Sequence, residues 1–232
     1  MAEHVDAPLV QVRNLTKVFV TEKVETHALS DVTFDIGRGE YLVVQGPSGC
    51  GKSTLLAILG LLEEPTGGEY RLADTDTNGL NLTRRALLRN RELGFVFQAF
   101  NLVADLTIRE NVELPLRYRK GADKPSASER TERAMGTLED VGIAHRADHY
   151  PAQLSGGQQQ RAAVARALVA EPSLLLADEP TGNLDDDSAD TVMELLAGCH
   201  DRGTTLCVVS HSPRFAKAAD RTLVLSEGRL QS

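Results

Sequence analysis

The sequence predicts an α/β protein built on a parallel sheet, and three observations predict it. The apolar runs "YLVVQ", "SLLLAD" and "TTLCVVS" are too continuous for strands with one wet face and suit strands covered on both. Helical patterns alternate with them, as crossover connections require. A glycine-rich segment, Gly46 to Ser53, joins one such strand directly to a helix.

Taken in order, "MAEHVDAP" is expected to fray, and "LVQVRNL" and "DVTFDI" alternate well enough for half-buried strands. "GRGEYLVVQG" continues what reads as a mixed sheet running through both halves of the chain. The leucines of "KSTLLAILGLLEE" recur at helical spacing until Pro65 and the Gly67-Gly68 pair. "EYRLA" returns to strand character, "TRRALLRN" reads as a helix, and "LGFVFQ" as a short buried strand. Between Gln98 and Leu154 the strand signal fades, "KGADKPSASE" is linker-like, and a helical insert fits. Ser126 and Glu129 have capping-box spacing, followed by Ala134, Leu138 and Val141 on one helical face before Gly142. A helix is expected to open near "LSGGQQQR" and to run from Arg161 through "AAVARALVA" to Pro172. The strands "SLLLAD" and "TTLCVVS" then flank the helical "DSADTVMELLAGCH".

At 232 residues with 41% apolar content the chain is long enough to bury a core, and no repeat divides it. A formal charge of −8 argues against a general basic surface for nucleic acid. Cys50, Cys199 and Cys207 lack metal-ligand spacing, and their odd number suits a reducing, cytoplasmic compartment. With no leader pattern and no apolar run of membrane-spanning length, membrane contact is expected to come through a partner.

The chemistry is concentrated in three segments. "GPSGCGKS" fits the phosphate-binding loop G-x-x-x-x-G-K-[ST], placed between a strand and a helix as that mechanism requires. Its backbone N–H groups would wrap phosphates, Lys52 would reach the β- and γ-phosphates, and the Ser53 hydroxyl would ligate Mg²⁺. "LLLADEP" ends a buried strand in Asp178, a Mg²⁺ holder, and Glu179, positioned to polarise an attacking water. "VVSHS" brings His211 to a strand end, while the histidines at 4, 27, 145, 149 and 200 have no motivated position. "LSGGQQQR" is a second glycine-rich helix start that would suit an anion. Two features are decoys: "DTDTNG" starts like a calcium loop but has Arg85 at its twelfth position, so a turn on Asn78-Gly79 is expected, and Cys50 fills a variable loop position.

With the phosphate loop, "LSGGQ" and "LLLADEP" in this order, the chain resembles the nucleotide-binding subunit of an ABC transporter over nearly its whole length. The resemblance implies one cassette over 1–232. It would have a RecA-like phosphate-loop core, an N-terminal antiparallel β-subdomain and a helical subdomain inserted at about 99–164. It implies ATP and Mg²⁺ bound by Gly46, Pro47, Ser48, Gly49, Cys50, Gly51, Lys52, Ser53 and Thr54, with Phe19, where tyrosine is commoner, stacking on adenine. Gln98 becomes a contact to Mg²⁺ or the attacking water, Asp185 the aspartate closing "GNLD", and His211 a γ-phosphate contact. Ser155, Gly156, Gly157 and Gln158 would face the γ-phosphate held by a second copy in a head-to-tail homodimer. An integral membrane permease would be the other partner, holding the cassette at the cytoplasmic side of the inner membrane, and "AFNLVADLTIRENVELPL" would carry its docking surface. "ILGLLEEPTGGEY" and "YPAQLSGGQQQR" look like the lipoprotein-release and macrolide-export branch (the LolD and MacB type). Amino-acid importers and the cell-division cassette share many of these words. A non-transport ABC protein and a cassette that binds without turnover are the remaining alternatives.

Overall fold

The computed structural model describes residues 7–20 and 24–231, so the fraying expected of "MAEHVDAP" falls largely outside it. Strands β1 (Val10–Val20) and β2 (Glu25–Ile36) pair antiparallel. β3 (Tyr41–Gln45) leads through the glycine loop into α1 (Lys52–Leu59). β4 (Gly67–Leu72) and β5 (Thr75–Asp76) form a hairpin, followed by α2 (Leu82–Glu92) and β6 (Leu93–Phe97). Next come α3 (Ile108–Arg117), α4 (Ala127–Asp140) and α5 (Gly156–Leu168), joined by short 3₁₀ turns. β7 (Leu174–Asp178), α6 (Asp186–Asp201) and β8 (Thr205–Val209) complete the alternating series. Beyond His211, where the patterning assigns no element, lie α7 (Pro213–Ala218), β9 (Arg221–Ser226) and β10 (Arg229–Leu230).

The single mixed sheet expected from periodicity is instead two. An antiparallel sheet has the order β2-β1-β4-β5, and a second has the order β10-β9-β3-β8-β7-β6. In the second, every pairing from β9 to β6 is parallel. Periodicity reports which faces are covered and not which strands pair, so it cannot separate the two. Alternation inside the continuous apolar strands explains their composition. Leu42, Val44, Leu174, Leu176, Cys207 and Val209 face a core shared with α1 and the antiparallel sheet. Tyr41, Val43, Leu175, Ala177, Leu206 and Val208 face a second core shared with α3 to α6. A strand buried on both faces has no polar register to display.

Local boundaries moved for identifiable reasons. α1 stops at Gly60, short of Pro65, because Leu61 takes a left-handed φ of 55° and Gly60 sits under the Phe95 ring, where a Cβ would stand 2.1 Å away. α5 begins at Gly156, ahead of Arg161, because Ser155 caps it. The β4–β5 hairpin turns at Ala73-Asp74, both left-handed, where "DTDTNG" begins, and the expected turn on Asn78-Gly79 forms at its end. Ser126 and Glu129 form the expected capping box on α4, and Ala134 and Leu138 are buried, while Val141 ends the helix ahead of left-handed Gly142.

Candidate active site

The loop from Gly46 to Ser53 is held open from both sides. Gly46 has φ 151° and Gly51 φ 106°; a Cβ would stand 2.0 Å from Leu225 O at Gly46 and 2.3 Å from Ala28 O at Gly51. Only glycine lets the backbone pass this close to β9 and β2. The loop is pinned further by the Gly228 N–H, which donates to Cys50 O at 3.0 Å. Lys52, at 7% exposure, turns back into the loop and donates to Gly46 O and Pro47 O, both at 2.8 Å. Among the described residues it forms no ion pair, so its buried ammonium rests chiefly on carbonyl dipoles, an arrangement suited to an incoming anion. Gly51 provides no side-chain cap to α1, which leaves the first helical N–H groups, including those of Ser53 and Thr54, for a ligand.

Parallel pairing brings Gln98, Asp178, Glu179 and His211 to the same edge. Phe97, Asp178, Val209 and Val44 are register partners across β6, β7, β8 and β3. The residues that follow them, Gln98, Glu179, Ser210 and Gln45, therefore emerge side by side, with His211 one residue further and the glycine loop next to Gln45. Burial pushes the Asp178 carboxyl above the usual Asp value; the Ser53 hydroxyl opposes this, neighbouring Glu179 adds to it, and Lys52 opposes it. Glu179 adopts a left-handed φ of 42°, an unfavourable conformation for a side-chain-bearing residue. It is fixed there by its own N–H donating to Val209 O at 2.9 Å. Its carboxylate accepts from Ser210 Oγ at 3.1 Å and from the His211 N–H at 3.1 and 3.3 Å, and His211 Nε2 lies 3.4 Å from Oε1.

Gln98 is clasped rather than free. Its Nε2 donates to Asn183 Oδ1 at 3.1 Å, and Asn183 Nδ2 donates to Gln98 O at 3.0 Å. Asp185 caps α6, accepting from Ser188 N at 2.9 Å and Ser188 Oγ at 3.0 Å, bonds that hold its carboxyl below the usual range. Ser155 and Gln158 close a reciprocal capping box on α5, at 3.1 and 3.3 Å. Gly156 and Gly157 form the first turn behind Ser155. Among the described residues no hydrogen bond or ion pair joins this helix start to the Gly46–Thr54 loop.

Phe19 is 39% exposed on β1, with Lys17 Nζ 4.8 Å from its ring centroid. It pairs with Thr26, two residues before the Ala28 carbonyl that abuts Gly51. Three contributors escaped the sequence reading. Ser210 is hidden beside His211, Asn183 lies inside "GNLD", and Gln160 is fully buried with Nε2 donating to Pro180 O at 2.5 Å. Gln160 is the third of three glutamines, ahead of Arg161, and nothing local marks it as the buried one.

The pattern of the family described as "ABC transporter" matches residues 29–182. The macrolide export ATP-binding/permease protein MacB of Brucella melitensis is 45% identical over 97% of the chain, which spans only about a third (34%) of that relative's length. An uncharacterized ABC transporter ATP-binding protein of Methanocaldococcus jannaschii is 43% identical over 96% of this chain and 97% of its own. Among solved structures, the ATP-binding cassette MJ0796, described as dimeric in a post-hydrolysis state bound to ADP and Pi, superposes with a TM-score of 0.89. It is 41% identical, covering 96% of this chain and 97% of that one. The parallel core, antiparallel sheet and inserted helices are thus the RecA-like cassette fold, and the chain belongs to the ABC transporter family.

Proposed function

We propose that residues 1–232 form one cassette that binds and hydrolyses ATP to energise a separate membrane permease of the lipoprotein-release or macrolide-export type. The observation that carries this reading is the shared sheet edge on which the glycine loop, Gln98, Asp178, Glu179 and His211 emerge in register. Gly46–Thr54 bind the triphosphate, with Lys52 exchanging its loop carbonyls for phosphate oxygens, and Phe19 stacks on adenine. Ser53 and Asp178 fit a hard cation. No cluster of three or more His, Cys, Asp or Glu side chains able to hold a metal occurs among the described residues, so a cation held by Ser53 and Asp178 would need further oxygen ligands from nucleotide or solvent. Held by these two residues, Mg²⁺ would supply neutralisation of the charge that develops on the transferred phosphoryl group.

Glu179 acts as the base for the attacking water, oriented by Ser210 and the His211 N–H, while His211 contacts the γ-phosphate and Gln98 senses metal or water. Ser155, Gly156, Gly157, Gln158 and Asp185 serve the nucleotide of a second copy, an assignment supported by the dimeric MJ0796 relative. No helix among the described residues is long and apolar enough to cross a membrane. A cleft of 730 Å³ between α2, β6, α3 and α5, lined by Leu87, Leu114, Pro115 and Tyr118 among others, is the permease dock, and it would hold the cassette at the inner face of the membrane. Replacing Glu179→Gln tests the chemistry. Steady-state phosphate release is expected to fall at least a hundredfold, roughly the contribution of a positioned general base, while ATP-dependent dimers persist by sedimentation. Unchanged release would remove the role.

A further inference from the structure

Arg166 lies in the apolar run "AAVARALVA", nearly three turns into the helix that Ser155 caps, and its guanidinium reaches the Phe100-Asn101 turn. It donates through Nη1 to Asn101 O and through Nη2 to Phe100 O, the latter at 2.8 Å. Among the described residues it forms no ion pair, and burial pulls its pKa down. The carbonyls it grips belong to consecutive residues in left-handed backbone, Phe100 at φ 60° and Asn101 at φ 50°, with only Ala99 between this pair and Gln98. Two side-chain-bearing residues in that region are costly unless something fixes them. The planar fork matches two neighbouring carbonyls, a geometry an ammonium cannot copy.

The same turn sets the Phe100 ring over Gly156, where an added Cβ would stand 3.7 Å from ring Cζ. Gln98 in turn is clasped to Asn183, two residues before the Asp185 cap. The contacts close a circuit from Arg166 to the Phe100-Asn101 turn, to Gln98, to the 183–185 loop and back to the start of α5. We propose that Arg166 is a positioning residue for ATP hydrolysis: its fork holds the left-handed turn that places Gln98 and ties that residue to the Ser155 end of the same helix. The inference rests on the reading of Gln98 as part of the hydrolytic site.

The test is ATP turnover by the full chain. In Arg166→Lys, kcat is expected to fall about tenfold, the loss of one charge-assisted contact, with KM for ATP and the melting midpoint little changed. Adding Asn101→Gly, which adopts left-handed φ without strain, should recover most of the loss, a rescue that generic loss of packing would not allow. Asn101→Val, which penalises that φ with Arg166 intact, should reproduce the kcat defect and carries the test if Arg166→Lys does not fold. Unchanged kcat in whichever of these variants folds, or no recovery in the double variant, overturns the proposal. Gln98→Ala separates the two readings: if it leaves kcat intact, the role of Gln98 fails; if it lowers kcat while the Arg166 and Asn101 variants do not, only the inference fails.

Discussion

Two helices in this chain start on glycines that suit phosphate, and they are finished in opposite ways. α1 has no side-chain cap: Gly51 is left-handed, the first N–H groups are unclaimed and the Lys52 ammonium waits on loop carbonyls. α5 is closed by Ser155 and Gln158, which satisfy each other's backbone donors. On the proposed reading, the start left open is completed by the nucleotide this chain binds, and the capped one, folded without a ligand, serves the nucleotide of a second copy. The capping boxes of α3 and α4 sharpen this, because both place a glutamate, Glu110 and Glu129, where α5 places neutral Gln158. A carboxylate there strengthens the cap and would repel an approaching phosphate.

The largest expected effect is at the open helix. Gly46→Ala should abolish ATP binding, measured by nucleotide titration, since its Cβ meets the backbone carbonyl of Leu225 and no side chain can yield. Next is Gln158→Glu, which should raise the melting midpoint slightly, by the ~0.3–1 kcal/mol of a favourable helix-terminal charge, while lowering turnover several-fold. Ser155→Ala and Ser126→Ala should each cost about 1 kcal/mol of stability in denaturant unfolding, yet only the first should impair ATP-driven dimerisation. The smallest effect is with pH. Hydrogen bonds from Thr107 hold Glu110, and those from Ser126 hold Glu129, below the ordinary 4.5. Their stabilisation is complete above that value and fades as pH falls through the lowered folded-state pKa, because the unfolded chain then binds more protons. Melting followed at decreasing pH should show this loss diminished by Glu129→Gln, whereas Gln158 contributes nothing to it.

Much of this was legible beforehand because glycine, charge and periodicity act locally. "GPSGCGKS" between a strand and a helix, the acids ending "LLLADEP" and the Ser126–Glu129 box all report short-range requirements, and the structure places each on the expected element. Asn183, Ser210 and Arg166 were not legible, because their partners lie 85, 31 and 66 positions away along the chain. An asparagine, a serine or an arginine has no periodic signature for a distant carbonyl or carboxylate.

The sequence by itself determined the phosphate loop, the alternation of buried strands with helices and the two glycine helix starts, since each follows from backbone sterics and capping within a few residues. Only the tertiary structure decided which strands pair within each of the two sheets and the register that sets Gln98, Asp178, Glu179 and His211 on one edge with the loop. It alone also decided that Gly46 and Gly51 must be glycine on account of carbonyls from β9 and β2. Strand pairing is chosen by which faces bury each other across the whole chain, and that choice exists only once the chain has closed on itself.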